Sequence, residues 1–163
     1  MVPLLIEEAI LEIRDRMLRP QLNAFLELVQ EQNGDLLLGV ETVPPDRYYI
    51  TEGVEPLLLP AIFIVPDRSV HELNWANVAM QTHSIHVAAL FEEIELTRLQ
   101  KKGFRYAQAL FSALHDQGTE NIRVLVRDVD YGPTAVSGPA TDQRHFRKDV
   151  SLTCEVLHAE ALR

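Results

Sequence analysis

A chain of 163 residues with 47% hydrophobic content suits one domain with a real core, and 24% charged residues argue against wholesale disorder. Net charge is −9, unevenly spread: residues 1–81 hold 13 acids against 5 Lys/Arg, a balance of −8, and residues 82–163 hold 11 against 10, a balance of −1. That excess of acid opposes non-specific nucleic-acid binding, which needs several free cations to displace phosphate counterions.

The opening "MVPLLIEEAILEIRDR" carries acids early and no basic leading region, so a secretory signal is not expected. Ile6, Ile10, Ile13, Met17, Leu22, Phe25 and Val29 recur at helical spacing and predict helix from about Leu4 to Gln32, stopping near Asn33-Gly34. Pro20 interrupts it. The helix either kinks there or gives way to a second helix with Pro20 in its first turn, and the second option fits better because Arg16 and Arg19 then close the first helix.

From Asp35 to Glu55 the chain reads as irregular, with a short strand at "YYIT". Ala61 to Val65 is β-branched and aromatic and predicts a strand between Pro60 and Pro66, followed by a loop or short helix over Asp67–Trp75. The run "LLLPAIFIV" is too short to cross a membrane.

"VAMQTHSIHVAALF" alternates and predicts a long strand, with Met80, Ser84 and His86 on one face and His83, Ile85 and Val87 on the other. Glu92 to His115 predicts an amphipathic helix with a stripe of Leu96, Leu99, Gly103, Tyr106, Leu110 and Ala113, widened by Ala107 and Leu114 and ended by Gly118. Glu92, Glu93 and Glu95 then sit at its positive end. "NIRVLVRDV" and "FRKDVSLTCEVLH" are the last two strands, the second with Val150, Leu152, Cys154 and Val156 facing one way. The fold class is therefore α+β: an antiparallel or mixed sheet of four to five strands, with the N-terminal helix (or two short helices) and one long helix packed on one face.

Candidate chemistry is sparse. His71, His83, His86 and His115 invite a metal, but His83 and His86 point to opposite faces of a strand and cannot share one ion. Cys154, the single cysteine, excludes an internal disulfide, fits a reducing compartment, and lies on an apolar strand face where a thiol behaves as a small hydrophobe. "GPTAVSGPA" has glycines without the Lys-Ser/Thr of a phosphate loop, and no Gly-x-Ser-x-Gly elbow occurs. No catalytic, metal or cofactor residues are assigned.

The stretch "YGPTAVSGPATDQRHFRK", residues 131–148, is too long for a simple hairpin turn, and "RHFRK" is the one local concentration of positive charge. Tyr131, Arg144, His145, Phe146, Arg147 and Lys148 are the residues expected to bind a partner, because arginine and aromatic side chains anchor interfaces.

The strand "THSIHVAAL", the helix with "RYAQAL", then "IRVLVRDVDYG" and "RKDVSLTCEVLHAE" together resemble the tail terminator and tail-completion (head–tail joining) proteins of tailed bacteriophages. "DRYYITEG" and "LLPAIFIV" agree in outline, so the resemblance runs from about Ile6 to Glu160. Pro20 departs from it, since the family's N-terminal helix is expected to be continuous. The resemblance implies a single tail-terminator-like domain over 1–163, forming a homohexameric ring on the end of the tail tube in the virion, assembled in the host cytoplasm. Tail tube protein and a head-completion or connector protein are the implied partners; DNA passes through without being held, no membrane is involved, and no catalytic residues carry over. The other class compatible with the residues is a small cytoplasmic enzyme or ligand-binding domain whose polar groups converge only in three dimensions.

Overall fold

Helix opens the chain: α1 (Ile6–Glu12), a π-helical segment (Ile13–Leu18) and α2 (Arg19–Gln32) follow one another without a break. The computed structural model that shows this describes residues 4–34, 36–50, 58–73, 78–137 and 145–161. The expected division at Pro20 is corrected here. Proline inside a helix lacks an N–H and crowds the carbonyl one turn back. The turn before it is widened instead, with the Arg19 N–H bonded to the Arg14 carbonyl five residues earlier. The extra residue in that turn keeps Ile13, Leu18 and Leu22 on one buried line. Gly34, at φ 66°, ends the helix in the left-handed region where a side chain is disfavoured.

α2 then clasps the segment that follows. Asn23 Nδ2 donates to the Val43 carbonyl at 3.0 Å while the Val43 N–H donates to Asn23 Oδ1 at 2.8 Å. Gln30 Oε1 likewise accepts from the Val40 N–H at 3.1 Å. Two side-chain amides thus substitute for a neighbouring strand, and the irregular segment from a 3-10 turn at Leu36–Leu38 to the short strand β1 (Tyr48–Tyr49) lies fixed.

Among the described residues the sheet has seven strands, more than the four to five expected: β1, β2 (Ala61–Leu73), β3 (Val78–Glu93), β4 (Gln117–Gly118), β5 (Ile122–Tyr131), β6 (Ala135–Ser137) and β7 (His145–Ala161). Their order is β1-β2-β3-β7-β5-β4, with β6 also on β7, and only the β1–β2 pair is parallel. β4 and β6 are too short to show a period, which is why the sequence pattern misses them. β2 runs on to Leu73 where a loop or short helix was expected. Pro66 is accommodated at a register shift between Pro66 and Arg68, the kind of place a strand tolerates a residue without an N–H. Trp75 lies outside the described residues.

α3 (Leu96–Leu114) is shorter than expected, because Glu92 and Glu93 still belong to β3 and Gly118 to β4. Of the expected stripe, Leu99, Gly103, Tyr106, Ala107, Leu110, Ala113 and Leu114 are buried, and Leu96 is not. The helices cover one face of the sheet: Gln81, His83, Ile85, Val87, Ala89 and Phe91 of β3 are buried on it, as are Val150, Leu152, Cys154 and Val156 of β7. The alternate residues, Thr82, Ser84 and His86 against Ser151, Thr153 and Glu155, are half-buried on the open face.

The described part of the stretch 131–148 is largely ladder. After Tyr131 pairs with Val150, the Gly132 N–H bonds the Asp149 carbonyl at 3.0 Å, and Ala135–Ser137 pair with Arg147–His145. β5 and β6 therefore act as one interrupted strand along β7, a long hairpin whose connecting residues 138–144 lie outside those described.

Candidate functional site

The six residues expected to bind a partner are placed differently from one another. Tyr131, at the end of β5, is 49% exposed and meets the Phe104 ring edge-on at 5.7 Å between centroids. Phe146 is partly buried against the core. Arg147 holds its guanidinium 3.6 Å from the Glu92 carboxylate across the β3–β7 ladder, and Lys148 donates to the Gly132 carbonyl. His145 is half-buried opposite Ser137, and Arg144 lies outside the described residues. Phe146, Arg147 and Lys148 are thus engaged within the subunit, and Tyr131 is left half exposed.

Other large apolar side chains stand exposed on α3 and β6, Leu96 among them although it belongs to the stripe expected to be buried. Leu96 is 53% exposed, Phe104 43% and Phe111 40%, all on α3, and Val136 of β6 is 63% exposed. Leu96, Gln100 and Phe104 are spaced by four and so share one line of α3 beside its buried stripe. With Tyr131, Thr134 and Lys148 they line a groove of about 290 Å³ between the helix and the base of the hairpin. The signal in the sequence was Phe104, a large aromatic residue of α3 off the main stripe. An exposed apolar surface of this kind, built on a helix and a strand, is the ordinary mark of an interaction site.

The open sheet face carries the other arrangement of polar groups. Thr153 Oγ1 lies 3.2 Å from His86 Nδ1, and His86 Nε2 lies 3.8 Å from the Asp67 carboxylate. The order of groups is that of a hydroxyl, a base and an acid, but the His–Asp separation exceeds a hydrogen bond. The strand backbone around Thr153 is committed to the ladder, so it supplies no free N–H to hold an oxyanion. The neighbouring Arg127–Glu155 pair at 3.1 Å completes an ordinary cross-strand network.

Beneath α1 the buried face turns polar. His83 is fully buried, its Nδ1 2.8 Å from Ser69 Oγ, and His158 lies edge-on at 6.4 Å between ring centroids. Burial, and secondly the charge His158 would carry, pull the His83 pKa below its ordinary value, so it is neutral at pH 7. The expectation that His83 and His86 face opposite ways holds. Cys154 is buried, with its thiol pushed up to about 12 by that burial, which leaves it unreactive at neutral pH. Among the described residues no group of three or more His, Cys, Asp or Glu side chains is placed to hold a metal ion.

Comparison with family models and with curated proteins finds no match. Among solved structures, a chain from the virion of a native gene transfer agent (GTA) particle is similar at 14% identity, over 83% of this chain and 96% of that one, with a TM-score of 0.36. A likeness at that level carries no argument about function.

Proposed function

We propose that this chain is a structural subunit of a phage or prophage virion, forming a ring that closes the tail tube and joins it to the head. The observation that carries the proposal is the exposed cluster of Leu96, Phe104 and Tyr131, which line one groove between α3 and the end of β5. A rigid surface loses little side-chain freedom when covered, which favours permanent assembly. The element order that resembles tail terminator and tail-completion proteins supports the same role.

In this proposal the ring is a homohexamer, and its partners are the tail tube protein and a head-completion or connector protein. The segment 131–148, with Tyr131 as its exposed anchor and the residues 138–144 at its turn, makes the contacts between subunits or with the tube. Net charge of −9 suits a passage that DNA crosses without being held. The subunit acts without catalysis, cofactor or membrane, in the virion and after assembly in the host cytoplasm.

Light scattering coupled to size exclusion, at high micromolar concentration, and electron microscopy of purified tails test this directly. A closed oligomer is expected in at least one of the two settings. A strict monomer in solution together with tails that carry no such ring would overturn the proposal.

A further inference from the structure

The helix-covered face of the sheet turns polar at one end, where Gln81, His83 and His158 are 2%, 0% and 5% exposed. Gln81 stands opposite His158 across the β3–β7 ladder, and His83 follows two residues on, opposite Ser69 of β2. Ser69 engages His83 Nδ1, but His83 Nε2 and His158 Nδ1 are buried with no hydrogen-bond partner. A polar atom left so costs free energy that an apolar side chain of the same shape would not. Such a layer is a poor floor for a helix, and a worse one once its rings carry charge.

α1 rests on this floor by few ties. It has no side-chain cap, and the Leu5 N–H ahead of it donates to Gln81 Oε1 at 2.9 Å. Of its seven residues only Ala9 and Ile10 are buried. Its other end is held firmly: Glu12 accepts from Asn121 at 3.1 Å, and Arg16 donates to Glu120 at 2.6 Å. That anchor spans the start of the π-helical segment, where the hydrogen-bond ladder changes step and a helix bends readily. α1 is therefore a short arm, pinned at one end and seated at the other on the layer that holds the two imidazoles.

Among the described residues neither ring has an ion pair, unlike His86 with Asp67 on the opposite face. β2 brings Ser69 and the exposed His71, which stands opposite Gln81, and the β4–β5 turn brings Asn121. α1 brings Glu7 and Glu8, both exposed, and Glu12, whose Oε1 is engaged by Asn121 and Arg16. Arg14 and Asp15 of the π-helical segment pair with each other, and the buried Lys102 of α3 is bound to Glu93 at the far end of β3. Burial and the neighbouring His158 already disfavour charge on His83.

We infer that α1 is an acid-released arm: when His83 and His158 take up protons, residues 6–11 lift from the sheet about the anchor at Glu12, while α2, α3 and the sheet stay folded. The opening is local, because the core beyond the anchor has its own packing through Ile13, Leu18 and Leu22. It stands apart from the ring proposal and is read on the subunit itself.

Hydrogen exchange followed by mass spectrometry at about pH 7.5 and about pH 5, corrected for the intrinsic pH dependence of exchange, tests it. Protection of the α1 amides is expected to fall by about tenfold or more at the lower pH, with that of α3 and β7 kept. A variant carrying both His83→Gln and His158→Gln should protect α1 equally at both. Should that variant fail to fold, the midpoint of the wild-type α1 transition decides. A midpoint near or below the ordinary histidine value of about 6.5 supports the imidazoles, and one near the carboxylate value of about 4 assigns the release to Glu12 instead. Equal α1 protection at both pH values in the wild type overturns the inference. So does loss of protection in α1, α3 and β7 together, which is global unfolding. Stronger protection of α1 at the lower pH also overturns it, since Glu12 would then have taken a charged imidazole as partner.

Discussion

Lys102 and Glu93 form a nearly buried ion pair at the corner where β3 hands over to α3: the ammonium lies 2.9 Å from Glu93 Oε2, with 6% and 13% of the two side chains exposed. Glu93 also accepts the Ile94 N–H at 2.9 Å and the Arg98 guanidinium at 3.3 Å. Arg98 in turn donates to the Leu38 carbonyl at 2.8 Å, so this carboxylate organises both the strand-to-helix corner and the turn at Leu36–Leu38.

Removing Glu93 leaves a buried ammonium without its partner, so Glu93→Gln is expected to cost about 3 kcal/mol in denaturant unfolding at neutral pH. Lys102→Met should cost clearly less, because Arg98 still pairs with Glu93. Equal losses in the two variants would show that Arg98 does not share the carboxylate.

Burial alone would raise the Glu93 pKa. The hydrogen bonds from Lys102 and Ile94 and the Lys102 charge outweigh it, with Arg98 adding to them, and leave the group at about 2. A carboxylate whose folded pKa is lowered stabilises above its unfolded pKa and loses that contribution as pH falls through the folded one. Stability should therefore decline between about pH 5 and pH 2, by roughly 3 kcal/mol from this group. Glu93→Gln should flatten that part of the curve; an unchanged acid profile would refute the assignment.

A second decline should appear nearer neutrality. The lowered His83 pKa means its stabilisation is present above the ordinary histidine value of about 6.5 and is lost on acidification below it. Melting temperature should fall from neutral pH to about pH 5, and less so in His83→Gln, which cannot charge. If the two proteins respond alike over that range, the polar layer under α1 is not the sensitive element.

Gly103 faces the sheet, and a Cβ there would stand 3.4 Å from Phe91 Cζ and 3.5 Å from Val150 Cγ2. Those contacts are close but possible. The gain in helix propensity, about 1 kcal/mol, should make Gly103→Ala neutral or slightly stabilising. Gly103→Leu has no such room and should lose about 1–3 kcal/mol or more by overpacking. Thermal melting of both separates space from propensity: a Leu variant as stable as wild type would mean α3 lifts from the sheet at little cost.

The elements with a long period were legible in the sequence, and those set by contact were not. Alternation through Ile85, Val87 and Val150, Leu152, Cys154 revealed the two central strands, and the stripe of Leu99, Tyr106 and Leu110 revealed α3. The continuous helix across Pro20 was hidden because a local rule for proline met a widened turn that only the packing of Ile13, Leu18 and Leu22 demands. β6 was hidden by Gly132 and Pro133, which break the alternation while the ladder to β7 resumes beyond them. The groove depends on Tyr131 coming to Phe104 across 27 residues of chain, a meeting no spacing announces.

Ser137 and His145 are paired across the hairpin, so the seven residues between them, 138–144, can be replaced by Asn-Gly, which joins paired strand positions in a two-residue turn. The melting temperature should hold within a few degrees while assembly is lost or weakened. Normal assembly by this variant would confine the interface to the groove and leave the turn without a part in it.

β7 begins only at residue 145, yet β3, β5 and β6 all attach to it. Pairs such as Val78 with Ala161 close loops of more than 80 residues, which makes the sheet slow to form. On a ribosome β3 and β5 must wait for their central member, and during that wait each presents an unpaired edge. Tyr131 reaches its place only by pairing with Val150. Until β7 has emerged, the chain therefore has no finished groove to offer, whatever that groove receives.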